Sequence, residues 1–363
     1  DYVPSPRFLI FGHHFTSIAG TGPIVGPAIG IIWGWGPALL WVFLGSIFMG
    51  AVHDFGTLVL SLRHEGKSIA QITDSLLSPR IRRMFFIIVS LALLIVIAIF
   101  GLVIAIIFKL FPESVFPVWM EIPLALGLGI CLKRYPQRLF PLTILFLILM
   151  IFTVFIGHYY PFSMPSIAGI PATGLWTIIL LLYAFIASVL PVTRLLQPRD
   201  YLNAWQLFIA VGILLFGILV TGFNGSLVMA APFINPSPSG APSMMPFLFI
   251  TIACGAISGF HSLVSSGTTA KQISKESDAL FVGYGSMLIE GFLAILVIVA
   301  VAAGLSLSYA TDSGTILTGI AAWNSHYFSW EASAGLASKL HAVVIGSANI
   351  MMALGIPKQL GIV

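Results

Sequence analysis

From Phe85 to Phe108 the chain reads FFIIVSLALLIVIAIFGLVIAIIF, a run without one charged side chain. At about 1.5 Å of rise per residue, a helix of this length crosses the roughly 30 Å hydrocarbon core of a bilayer. Helix is also the form in which such a segment satisfies its own backbone polar groups away from water. Runs of helical length recur at about 8–30, 37–60, 115–132, 139–158, 173–192, 203–223, 245–264, 283–305 and 336–356. The chain is therefore expected to be an all-α, polytopic integral membrane protein with about ten transmembrane helices. The fourth span, 115–132, is the weakest, because Glu121 and Pro123 interrupt it. Composition agrees: 58% of residues are hydrophobic and 8% charged, with a mean hydropathy of +1.06. That is about a third of the charge of a soluble domain.

The breaks between runs carry an independent signal. Alternate connections hold Arg63, Lys67, Arg80, Arg82 and Arg83, then Lys133, Arg134 and Arg138, then Arg194 and Arg199, then Lys271 and Lys275. With Arg7 and Lys358, one side receives every basic residue except Lys109 and Lys339, and the positive-inside bias makes that side cytoplasmic. The net charge of +4 is then a matter of topology, and no nucleic-acid partner is expected. Cys131 and Cys254 both lie in apolar runs, where free cysteine behaves as a small hydrophobe. The chain starts at Asp1 without an initiator Met or a secretory leader pattern, so it is expected to be incomplete. The 224–244 stretch, with its NPSPSG tract, is expected to be a long outer loop weakly dividing a single transmembrane domain over 1–363.

One pattern repeats. Gly12, His14, Gly20 and Thr21 form G-x-H-x5-G-T, which recurs as Gly259, His261, Gly267 and Thr268 in GFHSLVSSGTT. The two copies lie on spans of opposite direction, as an inverted repeat requires, although six other spans separate them. Transporters built from inverted repeats place broken helices in corresponding positions, with the open backbone forming the solute and ion site. A plainer reading stands beside this one. Gly22, Gly26, Gly30 and Gly34 fall at four-residue spacing, the stripe of close helix packing. Gly20, Gly22 and Gly26 follow no strand, so they are not a dinucleotide fingerprint.

Ionisable groups inside spans are costly and mark function. Asp54 in GAVHDFGTL and Glu290 in SMLIEGFLA qualify, each in the span that follows one copy of the pattern. They are the candidate ion-coupling groups, with a buried helix-bridging carboxylate as the structural alternative. His13 and His14 are adjacent and diverge on a helix, so they do not form a facial metal pair. Pooled with His261 and a carboxylate, His14 has zinc-ligand chemistry. Proton exchange, or hydrogen bonding to a carboxylate-bearing solute, is the preferred reading, and no metal or other cofactor is expected. The SSGTT run offers hydroxyls and backbone amides that replace the hydration of a small ion or solute, or else simply end a helix. No G-x-S-x-G elbow, S-x-x-K pair at this run or H-E-x-x-H helix is present, so an enzyme is not expected.

The segments FGHHFTSIAGTGPIVGP, GAVHDF, LPVTRLLQPRDYLNAW, FLFITIACGAISGFHSLVSSGTTAKQISKESDA and GYGSMLIEGF closely resemble the carbon starvation protein A family. The resemblance runs from Asp1 to about Gly291 and weakens after Leu305. It implies a peptide transporter of the bacterial cytoplasmic membrane, or a pyruvate importer driven by a proton gradient. It also implies distant kinship with transporters of the inverted-repeat, broken-helix (APC and LeuT-like) kind, and further spans before and after this chain. Thr193 and Arg194 stand where the family commonly has an aromatic and an apolar residue, and His53 where glutamine is frequent.

The expected function is import of peptides or small carboxylates, with a membrane nutrient sensor or structural subunit as the competing class. His14, Gly20, Thr21, Gly22, His261, Ser265, Ser266, Gly267 and Thr268 are the expected solute-binding residues. Asp54 and Glu290 are the expected coupling groups, and Arg199 with Asp200 a cytoplasmic gate or structural ion pair. The expected partners are a small-molecule solute and the lipid bilayer.

Overall fold

The computed structural model describes residues 2–76, 78–311 and 314–362, and helix dominates them. In chain order the helices are α1 (Arg7–Ile18), α2 (Gly22–Gly30), α3 (Trp35–Gly45), α4 (Ala51–Arg63), α5 (Ile69–Leu76), α6 (Pro79–Leu110), α7 (Val115–Arg134), α8 (Leu139–Tyr159) and α9 (Ala172–Val189). They continue as α10 (Leu196–Phe223), α11 (Met244–Thr251), α12 (Ala253–Ala256), α13 (Phe260–Val264), α14 (Gly285–Val299), α15 (Gly319–Tyr327), α16 (Trp330–Ser333), α17 (Leu336–Met352) and α18 (Lys358–Ile362). A short antiparallel hairpin, β1 (Tyr309–Ala310) and β2 (Ile316–Leu317), pairs Tyr309 with Leu317.

Seven helical stretches are long and apolar enough to cross a membrane: Trp35–Arg63, Pro79–Leu110, Pro112–Arg134, Pro136–Tyr159, Ala172–Val189, Leu196–Phe223 and Glu276–Leu307. Arg7–Ile18 with Gly22–Trp33 adds an eighth if the broken pair is one span. The chain is thus an all-α, multi-pass membrane protein. Two of the ten expected runs differ. The 245–264 run is three short helices, because Ile252 leaves the helical region (φ −97°, ψ 6°) and Ile257 is extended (φ −159°, ψ 117°). The last run is the 17-residue α17, stopped before Gly355 at φ +81° and Pro357. Pro123 lies inside an unbroken α7, so the weak fourth run is a helix in the structure.

The chain divides into two compact units. The first holds Asp1–Ile18, Val52–Gln206 and Gly259–Ser286. Within it α6 packs on α9 and α7 on α8. Leu128, Phe146, Met150 and Leu202 lie in one core cluster, and Phe108 with Trp176 in another. Gly12 lets α1 approach α10 closely, since a Cβ there would stand 3.1 Å from Tyr201 Cδ2 and 3.2 Å from Ala204 Cβ. The N-terminal strap is tied down in strand-like fashion: the Val3 N–H donates to Lys271 O (2.9 Å) and the Ser5 N–H to Gln272 O (3.0 Å).

The second unit holds Ala19–Ala51, Leu207–Ser258 and Met287–Val363, and the 224–244 stretch lies inside it. Here the glycine stripe is a packing face. A Cβ on Gly26 would stand 2.5 Å from Thr251 O, one on Gly22 would strike the Cys254 side chain, and one on Gly30 the Ile252 side chain. Small residues admit this approach of α2 to α11 and α12. Gly34, at φ +112°, turns the chain from α2 into α3 against the Phe233 carbonyl. Gly304 and Gly346 provide a matching close approach to α17. The core of this unit includes Trp33, Ile252, Val301 and Ile350.

Candidate functional site

The first unit gathers three buried polar groups from distant parts of the sequence. Asp54, on α4, lies in an apolar span whose backbone is already bonded along the helix, so its carboxylate needs side-chain partners. It has two: Oδ2 lies 2.7 Å from His261 Nδ1, and Oδ1 lies 3.0 Å from His53 Nδ1. Asp54 and His261 are fully buried, whereas the His53 side chain is 34% exposed. An ionised carboxylate only accepts, so each of these histidines presents Nδ1–H to it and keeps Nε2 for another role.

His14, on α1, is buried with Nδ1 2.9 Å from Thr269 Oγ1. Its Nε2 has no hydrogen-bond partner among the described residues. The SSGTT run continues α13 as a single π-helical turn, Ser265–Thr269, of the kind found at functional sites. Ser266 is held on several sides. Its Oγ donates to Ser262 O (2.6 Å) and accepts from the Ile69 N–H (2.9 Å), and its carbonyl lies 2.9 Å from Ser61 Oγ. Gly267 borders open space, with no atom within 4 Å of a Cβ placed there. In the first unit, then, the structure brings together His14, Asp54, His261 and the turn Ser265–Thr268, with His53 and Thr269 as further members.

Arg199 and Asp200 form a second buried group. Arg199 Nη2 donates to Asp200 Oδ1 (2.8 Å), Nε donates to the same oxygen (3.1 Å), and Nη1 donates to Tyr183 OH (3.1 Å). Asp200 Oδ2 faces His13 Nδ1 at 2.8 Å. Glu121 Oε1 lies 3.7 Å from Arg199 Nε and accepts from Asn203 Nδ2 at 2.8 Å. Thr16 Oγ1 lies 2.8 Å from Asp200 O and 2.9 Å from Gly12 O, fixing α1 beside the start of α10. The pair is therefore part of a network of at least five polar side chains.

In the second unit, Gly20 and Thr21 sit at the break between α1 and α2, and Thr21 O accepts from the Ile24 and Val25 N–H groups. Gly22 and Pro23 start α2, with proline where a missing N–H costs nothing. Gly22 faces Cys254. Glu290 is fully buried on α14. Sequence reasoning overlooked Tyr183 and Asn203, and it noted Glu121 only as an interruption of its span; Thr269 it held only as part of the SSGTT run. Glu121 was within reach of the rule that singled out Asp54 and Glu290, because it too is a carboxylate inside a span.

The fold and these buried charges define a polytopic helical membrane protein with polar sites inside its spans. The chain belongs to the family of carbon starvation protein CstA, whose model matches residues 1–352. Among curated relatives, the peptide transporter CstA of Helicobacter pylori is 38% identical over 309 residues, covering 82% of this chain and 44% of the relative. The pyruvate/proton symporter BtsT of Escherichia coli K12 is 37% identical over 306 residues, covering 83% and 42%. The peptide transporter CstA of Escherichia coli K12 is 36% identical over 303 residues, covering 83% and 43%. The chain thus spans less than half the length of these three relatives. No solved structure matches it.

Proposed function

We propose that this chain is the transmembrane domain of a secondary transporter that imports peptides or small carboxylates such as pyruvate across the bacterial cytoplasmic membrane, coupled to protons, during carbon starvation. The observation that carries the reading is the Asp54 carboxylate buried between His53 and His261 in a span. A buried carboxylate hydrogen-bonded to two imidazoles is chemistry suited to carrying a proton. The names of the relatives, two peptide transporters and a pyruvate/proton symporter, point the same way.

On this reading Asp54 is a coupling group, and His14, His261, Ser265, Ser266, Gly267 and Thr268 bind the solute through imidazole nitrogens and hydroxyls. Glu290 is a second coupling group, and Gly20, Thr21 and Gly22 offer open backbone to the solute. Arg199 and Asp200 serve as a gate. The breaks at 19–21 and 252–259 fit the discontinuous helices of an inverted-repeat, APC and LeuT-like transporter of about ten spans. The test is uptake of labelled pyruvate and of a peptide panel into proteoliposomes of the full-length protein, with and without an inward proton gradient. Gradient-dependent accumulation that Asp54→Asn abolishes is the expected result. Absence of flux with binding retained would replace transport by sensing.

A further inference from the structure

A cavity of about 420 Å³ opens in the first unit between α6, α7, α9 and the first turns of α10. Its volume is that of a small-ligand pocket. Most of its wall is aliphatic, contributed by residues such as Ile97, Ile104, Ile122 and Leu180. Three aromatic rings, Phe100, Trp119 and Tyr183, also line it, and Trp119 and Tyr183 pack edge to face with centroids 5.9 Å apart. Its polar end is Glu121, Arg199 and Asn203.

The two carboxylates at that end are not equally engaged. Asp200 is saturated, with Oδ1 on Arg199 and Oδ2 on His13. Glu121 stands in a different position, for both of its contacts, with Asn203 and with Arg199, run through Oε1. Among the described residues no hydrogen bond engages Glu121 Oε2. One carboxylate oxygen is thus left at the polar end of an apolar, aromatic-lined cavity. Charged groups at such depth pair with a counter-charge. A carboxylate beside aromatic faces is the chemistry that holds an organic ammonium, by ion pairing and by cation–π attraction.

We propose that this cavity is a binding site for an organic ammonium with an apolar body, Glu121 Oε2 being its counter-ion and Phe100, Trp119 and Tyr183 its aromatic wall. The site is separate from the Asp54 cluster and does not depend on the transport reading. Its natural source is either a free solute or a lipid carrying a primary amine.

The test is isothermal titration of the protein in phosphatidylcholine nanodiscs with n-hexylammonium, n-hexanol and hexanoate. Saturable binding of n-hexylammonium is expected, at least about tenfold tighter than n-hexanol, with none for hexanoate. Glu121→Gln, which keeps the side-chain shape and the Asn203 contact, should weaken n-hexylammonium by about tenfold or more. Gly101→Leu should block both n-hexylammonium and n-hexanol while leaving the charged network intact. A Cβ at this cavity-lining position meets only ordinary contacts, 3.7 Å from Thr177 Cγ2 and 3.9 Å from Leu181 Cδ2. Repeating the titration with a primary-amine phospholipid in the nanodisc separates the sources: competition assigns the lipid, and unchanged binding assigns a solute. Equal affinity for n-hexylammonium and n-hexanol, an unaffected Glu121→Gln variant, or no heat from any probe would overturn the proposal. The last would mean that a proton neutralises Glu121.

Discussion

His261 Nδ1 lies 2.7 Å from Asp54 Oδ2 although 207 residues separate them in sequence, and both side chains are fully buried. The second histidine on Asp54, His53, is partly exposed. Removing the charge from the buried member leaves His261 facing a neutral amide in a fully buried site. Asp54→Asn is expected to cost about 1.5–3 kcal/mol of stability, the range for hydrogen bonds to a charged group. His53→Gln should cost less than about 1 kcal/mol, because its contact is open to screening. Thermal unfolding of the two variants in detergent makes the comparison. Equal losses would show that the buried pairing is not what holds α4 and α13 together.

Gly26, in the four-residue glycine stripe, and Gly267, in the second copy of the repeated pattern, have opposite surroundings. A methyl on Gly26 meets the Thr251 carbonyl at 2.5 Å, and backbone cannot swing aside as a flexible side chain does. One on Gly267 meets nothing within 4 Å. Gly26→Ala should therefore destabilise by about 1–3 kcal/mol through overpacking. Gly267→Ala should leave the melting temperature essentially unchanged. A large loss for Gly267→Ala would mean that the turn Ser265–Thr269 is closed by contacts other than those described.

Much of the helical layout was legible in the sequence, because runs such as Phe85–Phe108 force helix whatever their neighbours. The positions of Asp54 and Glu290 were legible for the same reason: a carboxylate in an apolar run is conspicuous. Their partners were not. Lipid and protein interior are both apolar, so the face of α1 that carries His13 gives no sign of Asp200, 187 residues away. Glu121 was visible, but it read as an interruption of its span. Its meaning depends on Asn203 and Arg199, which only the packing of α7 against α10 places beside it. The four-residue spacing of the glycine stripe from Gly22 to Gly34 carries a packing reading beside the solute-binding one, and its contacts with Cys254, Thr251 and Ile252 are packing contacts.

Gln197 joins the N-terminal strap to the segment after α13. Its Nε2 donates to Ser5 Oγ (2.9 Å) and to Gln272 Oε1 (2.9 Å), and it is buried. Gln197→Leu keeps the bulk and removes both bonds, leaving Gln272 Oε1 without that donor. The strap is then held chiefly by the N–H groups of Val3 and Ser5 on Lys271 and Gln272. Each lost bond is worth about 1 kcal/mol, so deuterium exchange at Val3 and Ser5 should quicken by roughly fivefold or more. Unchanged exchange at these two amides would show that the backbone ladder alone secures the strap.

His326, on α15, is buried outside the membrane-spanning helices, with Nδ1 3.2 Å from Tyr309 OH and Nε2 3.1 Å from Ser338 Oγ. The His341 ring stacks on the His326 ring with centroids 6.3 Å apart, and the Tyr327 ring packs against His326 at 4.8 Å. Burial first, and His341 second, push the His326 pKa down from 6.5 to about 4. Above pH 6.5 the imidazole is neutral in both folded and unfolded chains, and its stabilising contacts are fully present. Between pH 6.5 and about 4 the unfolded chain takes up a proton that the folded one refuses, so stability falls as pH falls. Below about pH 4 both states are protonated and this loss levels off. His326→Gln removes the titration while keeping a polar side chain. The wild-type melting temperature should exceed that of the variant at pH 7.5, and the gap should narrow steadily toward pH 4.5 in detergent. A gap that stays constant over that interval would mean that His326 is protonated equally in both states, and the burial of its ring would then have no bearing on the acid sensitivity of the fold.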